Sequence, residues 1–385
     1  MRTISILTHS YIDGYNRKFN RLFGGGLERY IRDLCSVIHA AGWRPVVHQL
    51  SYFEAFRTEY EGTEVIGYTY ELGKTASAFE AMAEQAEGLL VYASCLWHPI
   101  RYRPGSIGIC HGINWDHGSI AAGTKDGVAA AFRGALHSLD RVVSVDSHFQ
   151  TYARAVCEFD DADRIALIPN SVDTKLFLPK AAGGGADGGD DARPARRRKL
   201  RVLVPRRLSY ERGVITMMLA ADELLAEHPD IVVEFAGELV EGTNVAEAFR
   251  LWHECHPDGS RIEQRAYTMD EMHLAYRNAD IAVIPTVFSE GTSLACLEAM
   301  SCGLPVVATN VGGLNDLVTD RLNGLLVPPN SAAIAAAIRE LLRDRPLRRK
   351  LGKLGRETAI SFDVDRWRAR WTAVLEAQLA ANGML

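Results

Sequence analysis

Short runs of apolar and β-branched residues alternate with segments of helical length along the whole chain. This alternation is typical of a parallel sheet covered by helices, because each strand is then buried on both faces. The first series of predicted strands comprises residues 3–8, 45–50, 88–93, 106–110, 141–145 and 165–169. The second series comprises residues 201–205, 231–237, 280–285, 305–309 and 324–328. The pattern therefore predicts an α/β protein.

A segment rich in glycine and charge separates the two series. It reads KAAGGGADGGDDARPARRRKL over residues 180–200, a composition that cannot bury enough apolar surface to form a core. We therefore predict two Rossmann-like domains, residues 1–180 and residues 199–360. The last segment, DVDRWRARWTAVLEAQLAANG, carries aromatic and aliphatic residues at helical spacing and predicts a final helix.

Composition narrows the class of protein. The chain has 385 residues, of which 47% are hydrophobic and 24% charged, as in ordinary globular proteins. A formal net charge of -5 argues against a dedicated nucleic-acid binder. Seven cysteines lack C-x-x-C spacing, the N-terminus begins with a strand-like run, and no apolar run reaches the roughly 18 residues of a membrane span. These features favour a reduced, cytoplasmic protein.

Basic residues close the linker between the two series. They are Arg193, Arg196, Arg197, Arg198, Lys199 and Arg201. A solvated surface loop is the simpler interpretation of this run. The alternative is attraction to the inner, anionic face of a membrane, where each basic residue contributes ~1 kcal/mol.

The segment PTVFSEGTSLACLEAMSCGLPVV, residues 285–307, combines a strand end, a loop and a capped helix. Ser289, Thr292 or Ser293 can cap this helix. The free amides of Thr292, Ser293 and Leu294 would then face an anion such as a phosphate, at the sheet edge where doubly wound folds bind ligands.

Two glutamates flank this helix start. Glu290 lies in the approach loop beside Gly291, and Glu298 lies inside the helix. A carboxylate next to an anion site is unfavourable unless it has a use, such as accepting hydrogen bonds from sugar or ribose hydroxyls. Solvated surface positions are the alternative for both glutamates.

Other polar clusters favour metal or cofactor chemistry less. The run DDAD, residues 160–163, contains the Asp-x-Asp of metal-dependent transferases but lacks a preceding apolar strand. Asp146 and His148 follow a strand and could contact a ligand, but a helix cap at Asp146 or Ser147 is the simpler interpretation. HECHPD, residues 253–258, spaces its ligands too tightly for zinc, and the glycines at 24–26 lack the third glycine of a dinucleotide fingerprint. We expect neither a metal ion nor a cofactor.

Four segments together resemble the family 4 retaining glycosyltransferases of GT-B fold. SEGTSLACLEAMSCGLPVVATNVGGLNDLV is similar to the donor-site signature of that family, in which seven residues separate two glutamates. The other segments are GGGLERYIRDLCSVIHAAGW, IPNSVDTKLFLP and RRLSYERGV. The resemblance implies two Rossmann-like domains with parallel sheets facing across a cleft, and a final helix, residues 361–385, that packs back on the first domain.

The resemblance also implies roles for residues of the second domain. Arg207 and Arg212 correspond to the arginine and lysine that clamp the donor diphosphate, although the family more often has lysine at the second position. Glu290 is expected near hydroxyls of the transferred sugar and Glu298 near the ribose. The other donor-binding residues implied at the helix start are Gly291, Thr292, Ser293 and Leu294.

In the first domain, the resemblance matches Gly25 and Gly26 with the paired glycines of the family, and Glu28 with the acid that follows them. Glycines before a helix let the backbone approach phosphates or the transferred sugar, whereas a flexible turn is the simpler interpretation. His111 corresponds to a histidine that reaches the sugar and acceptor. A structural histidine is the alternative.

The implied activity is metal-independent transfer, with retention of anomeric configuration, from a UDP- or GDP-linked sugar. The acceptor, a glycan, lipid or small molecule, would bind mainly to the first domain. The reaction would belong to polysaccharide or glycoconjugate biosynthesis. A catalytically silent sugar-nucleotide binding or scaffold protein of the same fold is the alternative. The sequence does not distinguish the nucleotide base, the sugar or the acceptor.

Overall fold

Two α/β units make up the chain: Met1–Asn170 with Asp365–Leu385, and Ser171–Val364. The structure is a computed structural model that describes residues 2–113, 120–162, 164–180, 198–288 and 290–384. Each unit has its own parallel sheet and its own buried apolar core.

Within the described residues, the first unit contains an eight-stranded sheet of order β10-β9-β8-β7-β1-β4-β6-β5 and a small β2-β3 hairpin. The strands are β1 (Thr3–Thr8), β2 (Ile12–Asp13), β3 (Lys18–Leu22), β4 (Arg44–Ser51), β5 (Phe56–Tyr60), β6 (Thr63–Thr69), β7 (Leu89–Tyr92), β8 (Ile107–Cys110), β9 (Arg141–Ser144) and β10 (Ile165–Leu167). The helices are α1 (Gly26–Ala40), α2 (Thr75–Gln85), α3 (Ala122–Ser138), α4 (Ser147–Val156) and α5 (Phe159–Ala162). All neighbours in the large sheet are parallel except β5 and β6.

The second unit contains, within its described part, a six-stranded sheet of order β13-β12-β11-β14-β15-β16, in which all neighbours are parallel. The strands are β11 (Leu200–Val204), β12 (Ile231–Ala236), β13 (Ile262–Arg265), β14 (Ile281–Ile284), β15 (Val306–Thr309) and β16 (Leu325–Val327). The helices are α6 (Val214–Glu227), α7 (Asn244–Cys255), α8 (Met272–Asn278), α9 (Leu294–Ser301), α10 (Ser331–Arg343) and α11 (Arg345–Ser361). The strand order reverses between β11 and β14. Doubly wound folds bind ligands at such a point, beside the carboxyl ends of the two strands.

The predicted first domain ended at residue 180, whereas the first structural unit ends at Asn170. The residues that follow belong to the second unit because they pack there. Val172 pairs with Asp363, and Phe177 is buried against Tyr276 with the ring centroids 5.8 Å apart. Apolar burial therefore assigns this segment to the second unit.

The chain ends in α12 (Val364–Ala381), most of which is grouped with the first unit. The Trp371 side chain is fully buried, and its Nε1 donates a hydrogen bond to the Tyr30 hydroxyl at 2.8 Å. Gln378 on the same helix donates to the carbonyl of Gly105 at 3.2 Å. The predicted helix began at residue 361, which is the last residue of α11 in the structure.

Backbone contacts at glycines hold the loops at the carboxyl edge of the second sheet. Gly213 precedes α6 with φ of 79°, and a Cβ atom there would overlap the carbonyl oxygen of Pro285, which follows β14. A Cβ atom at Gly237, after β12, would likewise overlap the carbonyl oxygen of Arg206. Side chains at these positions would separate the loops.

Gly213→Ala is expected to destabilise the protein by ~1–3 kcal/mol more than Gly242→Ala, because only the first adds a steric overlap to the strain of a positive φ. Gly242 has φ of 73° and nothing within 4 Å of its Cβ position, so it is the matched control. Urea unfolding of both variants measures the difference. Equal midpoints would show that the loops can separate without cost.

Candidate functional site

The loops after β11 and β14 lie at the point where the strand order of the second sheet reverses. The backbone amide of Val287 donates to the carbonyl of Glu211 at 3.1 Å and so joins the two loops. The hydroxyl of Thr309, at the end of β15, donates to the carbonyl of Thr286 at 2.5 Å. Three strand ends are thus connected at this edge.

Glu290 is the centre of the contacts at this edge. Its Oε2 atom accepts hydrogen bonds from Arg206 Nη2 at 2.5 Å, from Arg212 Nη1, and from the Thr286 hydroxyl at 3.3 Å. Within the described residues, these contacts all reach Oε2. The side chain is 9% exposed, and Oε1 is left to accept hydrogen bonds from a ligand.

The ion pairs keep this buried carboxyl group ionised. Burial alone would raise the pKa of Glu290, but the charges of Arg206 and Arg212 outweigh burial and hold that pKa below its ordinary value. Burial lowers the pKa of Arg206, whose side chain is 10% exposed, although Glu290 opposes this change. Two guanidinium groups share one carboxylate, so the cluster keeps a net positive charge that suits a diphosphate.

Sequence reasoning selected Arg207 and missed Arg206. In the structure Arg206 contacts Glu290, whereas Arg207 is exposed. The chain bends at Arg206, and this bend directs the Arg206 side chain to Glu290 while Arg207 stays exposed. The diphosphate role of Arg207 stays a prediction. The same role of Arg212 also stays a prediction, and in the structure Arg212 contacts Glu290.

The start of α9 lies directly after Glu290. Ser293 is the N-cap residue and accepts from the amide of Cys296 at 3.4 Å, while Ser289 falls outside the described residues. Ser293 Oγ also accepts from Arg206 Nη1 at 3.2 Å. Thr292 and Ser293 are buried, and Leu294 is the first helical residue.

Gly291 is held by backbone packing. A Cβ atom at Gly313 would lie 2.7 Å from the Gly291 carbonyl oxygen, so Gly313 is required for the close approach of these two loops. The Gly313 amide donates to the carbonyl of Glu290 at 2.6 Å. The backbone that follows the Glu290 side chain is therefore fixed.

Glu298 lies inside α9 and is buried. Its Oε2 atom accepts a hydrogen bond from the hydroxyl of Tyr276, in α8, at 2.8 Å. Burial, and then the charge of Glu298, raise the pKa of Tyr276 well above its ordinary value, so the phenol remains a donor. Sequence reasoning did not select Tyr276, because nothing near it in the chain indicates this partner.

His111 follows β8 in the first unit. Its Nε2 atom donates to the carbonyl of Ala93 at 3.0 Å, and since a carbonyl only accepts, Nδ1 carries the free lone pair. Burial lowers the pKa of His111 to about 4, the Ala93 hydrogen bond opposes this change, and His9 adds to it. The ring is therefore a neutral hydrogen-bond acceptor at neutral pH.

Gly25 and Gly26 form the start of α1, with Gly25 in an extended conformation as the N-cap residue. Glu28, in the first turn, is buried and accepts from the hydroxyl of Ser10. Tyr30, in the same helix, packs edge-on against His111 with ring centroids 4.8 Å apart. Helix α1 thus begins at the predicted glycine loop and contacts His111 through Tyr30.

Clusters outside this site have structural partners. No group of three or more His, Cys, Asp or Glu side chains that could hold a metal ion occurs among the described residues. Asp146 caps α4, as predicted, by accepting from the amide of Phe149 at 2.7 Å. His253 contacts the carbonyl of Ile262, His256 contacts Asp222, and Asp163 lies outside the described residues.

The basic run is only partly described. Arg193, Arg196 and Arg197 lie outside the described residues. Arg198 pairs with Asp280 at 2.5 Å, and Arg201 pairs with Glu234 at 2.6 Å. Among the described helices, none is long and apolar enough to cross a membrane.

Residues 190–358 match the family model described as glycosyl transferases group 1. The chain is also 31% identical over 230 residues to a D-inositol 3-phosphate glycosyltransferase of Paenarthrobacter aurescens (strain TC1), an alignment that covers 58% of this chain and 54% of that protein. The chain spans about half the length of such relatives.

Solved structures with the same fold cover nearly the whole chain. Sucrose-phosphate synthase from Thermosynechococcus elongatus superposes with a TM-score of 0.77 at 21% identity, covering 99% of this chain and 100% of that one. Anabaena HepE in complex with UDP-glucose superposes with a TM-score of 0.74 at 18% identity, covering 98% and 100% of the two chains. The predicted GT-B fold class, with parallel sheets in two units, is confirmed.

His111→Gln is expected to make the protein less sensitive to acid. The pKa of His111 is about 4 in the folded chain against an ordinary value of 6.5, so the unfolded state binds the additional proton between these values. The wild type therefore loses stability as the pH falls through that window, and the variant lacks this contribution. Melting temperatures between pH 7 and pH 4 measure it. Parallel curves for the two proteins would contradict a neutral His111 with a lowered pKa.

Proposed function

We propose that this chain, whose residues 190–358 match the model of the group 1 glycosyltransferases, transfers a sugar from a nucleotide-diphosphate sugar to an acceptor. We further propose that the transfer retains the anomeric configuration and needs no metal ion. The observation that carries this proposal is the cluster of Arg206, Arg212 and Glu290 beside the start of α9.

The cluster suits the charge changes of glycosyl transfer. Negative charge grows on the leaving diphosphate, and a guanidinium group such as that of Arg212, together with helix amides, stabilises such charge without a metal. Positive charge grows on the sugar ring, and Glu290 offers Oε1 as an acceptor for sugar hydroxyls. Because Oε2 is already held by three donors, the carboxylate is oriented before the donor arrives.

Retention without a carboxylate nucleophile agrees with these contacts. A carboxylate held in an ion pair by Arg206 is a weak nucleophile, and Glu298 is hydrogen-bonded to Tyr276. We therefore assign receipt of the acceptor proton to the leaving phosphate. His111, with a free Nδ1 lone pair, would orient a hydroxyl of the sugar or acceptor.

UDP and GDP are the donor nucleotides that we propose, since HepE was solved with UDP-glucose. The acceptor is a glycan, a lipid or a small molecule such as the inositol phosphate in the name of the sequence relative. We place the protein in the cytoplasm. Contact with the inner membrane face would depend on Arg193, Arg196 and Arg197, because Arg198 and Arg201 are paired with carboxylates.

A catalytically silent sugar-nucleotide binding or scaffold protein of the same fold is the second candidate, because the ion pair between Arg212 and Glu290 occupies two of the groups that transfer would use. Slow release of nucleoside diphosphate from a nucleotide sugar, without acceptor, distinguishes an enzyme from a silent protein. Tight binding with no release would favour the silent protein.

Either UDP or GDP is expected to raise the melting temperature of the protein, whereas the corresponding nucleoside is not, because the cationic cluster recognises the diphosphate. At one hundred times its dissociation constant the ligand adds ~2.7 kcal/mol to stability. Thermal-shift measurements with both nucleotides, their sugars and the nucleosides test this. Equal shifts from nucleoside and nucleoside diphosphate would contradict the assignment of the cluster.

Donor turnover is expected to survive chelation, because arginines and helix amides are assigned to the leaving diphosphate. Release of nucleoside diphosphate is measured before and after dialysis against EDTA, with added manganese as the comparison. Complete loss of turnover in EDTA, restored by manganese, would show that a metal ion carries out this role.

A further inference from the structure

The two arginines on Glu290 differ in how firmly they are held. The Arg206 side chain is 10% exposed, and it also donates to Ser293 Oγ at 3.2 Å. Its backbone is fixed as well, because Gly237 packs directly against its carbonyl oxygen. Movement of the Arg206 guanidinium group away from Glu290 would therefore also break its hydrogen bond to Ser293, and the fixed backbone of Arg206 would not follow that movement.

Arg212 is the more accessible partner. Its side chain is 36% exposed and, within the described residues, forms an ion pair with Glu290 Oε2. A guanidinium group pairs with a diphosphate at least as well as with a carboxylate. Arg212 can therefore exchange partners with little change elsewhere in the unit.

We propose that Arg206 and Arg212 have different roles at Glu290. Arg206 is the permanent partner that positions the carboxylate, and Arg212 is an exchangeable partner that leaves Glu290 for the diphosphate of the donor. This inference rests on the proposed function and specifies how the same site responds to its substrate.

The permanent pair makes the exchange energetically feasible. Removing the sole partner of a buried carboxylate leaves an uncompensated charge, which is strongly destabilising. When Arg212 leaves, Glu290 keeps its bonds to Arg206 and Thr286. The Glu290 carboxylate and the donor diphosphate compete for the Arg212 guanidinium group, because Arg212 cannot pair with both.

Binding of UDP and GDP by calorimetry tests the competition in four proteins: wild type, Glu290→Gln, Arg212→Ala and the double variant. Arg212→Ala is expected to weaken binding about 10-fold or more, since a charge-assisted contact is lost. Glu290→Gln is expected to tighten binding about 3-fold or more, because Arg212 is released. In the Arg212→Ala background, Glu290→Gln should have no effect. Equal tightening in both backgrounds would indicate simple charge repulsion and would overturn the exchange.

Arg206→Ala tests the positioning role in the same way. With Arg206 absent, Glu290 holds Arg212 more firmly, so UDP or GDP binding should weaken, and Arg206→Lys should restore part of it. In the Glu290→Gln background Arg206→Ala should leave the affinity unchanged. Weakening in both backgrounds would show that Arg206 contacts the diphosphate directly and would overturn the positioning role.

Arg321→Ala is the matched control, because it breaks an exposed pair with Glu340 elsewhere in the same unit. Its affinity should equal that of the wild type, and each variant is used only if its unliganded melting temperature shows a folded protein. Arg206→Lys replaces Arg206→Ala if the latter fails to fold. A wild type that binds neither nucleotide would contradict the proposed function itself, whereas a binding wild type with unchanged Glu290→Gln would contradict the exchange alone.

Discussion

The buried ion pair between Arg206 and Glu290 determines the arrangement of the loops at the carboxyl edge of the second sheet. Moving these charges out of water is costly, and breaking such a pair by removing one partner typically costs about 3–5 kcal/mol. The arginine follows β11, the glutamate follows β14, and Ser293 at the start of α9 accepts from the same guanidinium group. Two loops and a helix start are therefore stabilised as one unit, and they cannot be altered independently.

Close backbone packing is the second condition for this pair. Parallel strands end at the same edge, but their loops converge only where side chains are absent. Gly213 packs against Pro285, Gly237 against Arg206, and Gly313 against the backbone after Glu290. The glycines thus have a structural purpose that differs from flexibility, because they bring the loops close enough for the charged side chains to meet. A larger residue would first increase the distance across the ion pair.

The parts of the fold that could be predicted are those with a local signal. Buried parallel strands are continuous apolar runs, so β11 and β14 lie within a residue or two of their predicted bounds. The sequence did not predict β5, β6 and β13, because polar residues shorten or interrupt their apolar runs. Glu290 could be selected from its loop and helix context. Arg206 could not, because only the local direction of the chain distinguishes it from Arg207, and the Tyr276 partner of Glu298 is distant in sequence.

The carboxyl ends of the strands carry opposite electrostatic environments in the two units. In the second unit, burial is offset by paired charges, so Glu290 stays ionised and the arginines supply excess positive charge. In the first unit, burial outweighs the opposing hydrogen bond to Ala93, so His111 is neutral and its Nδ1 atom can only accept a proton or a hydrogen bond. A reaction that separates a negative diphosphate from a positive sugar needs charge at the leaving group. Under the proposed function, a neutral His111 would suit the orientation of hydroxyls, since an imidazolium would oppose positive charge on a sugar.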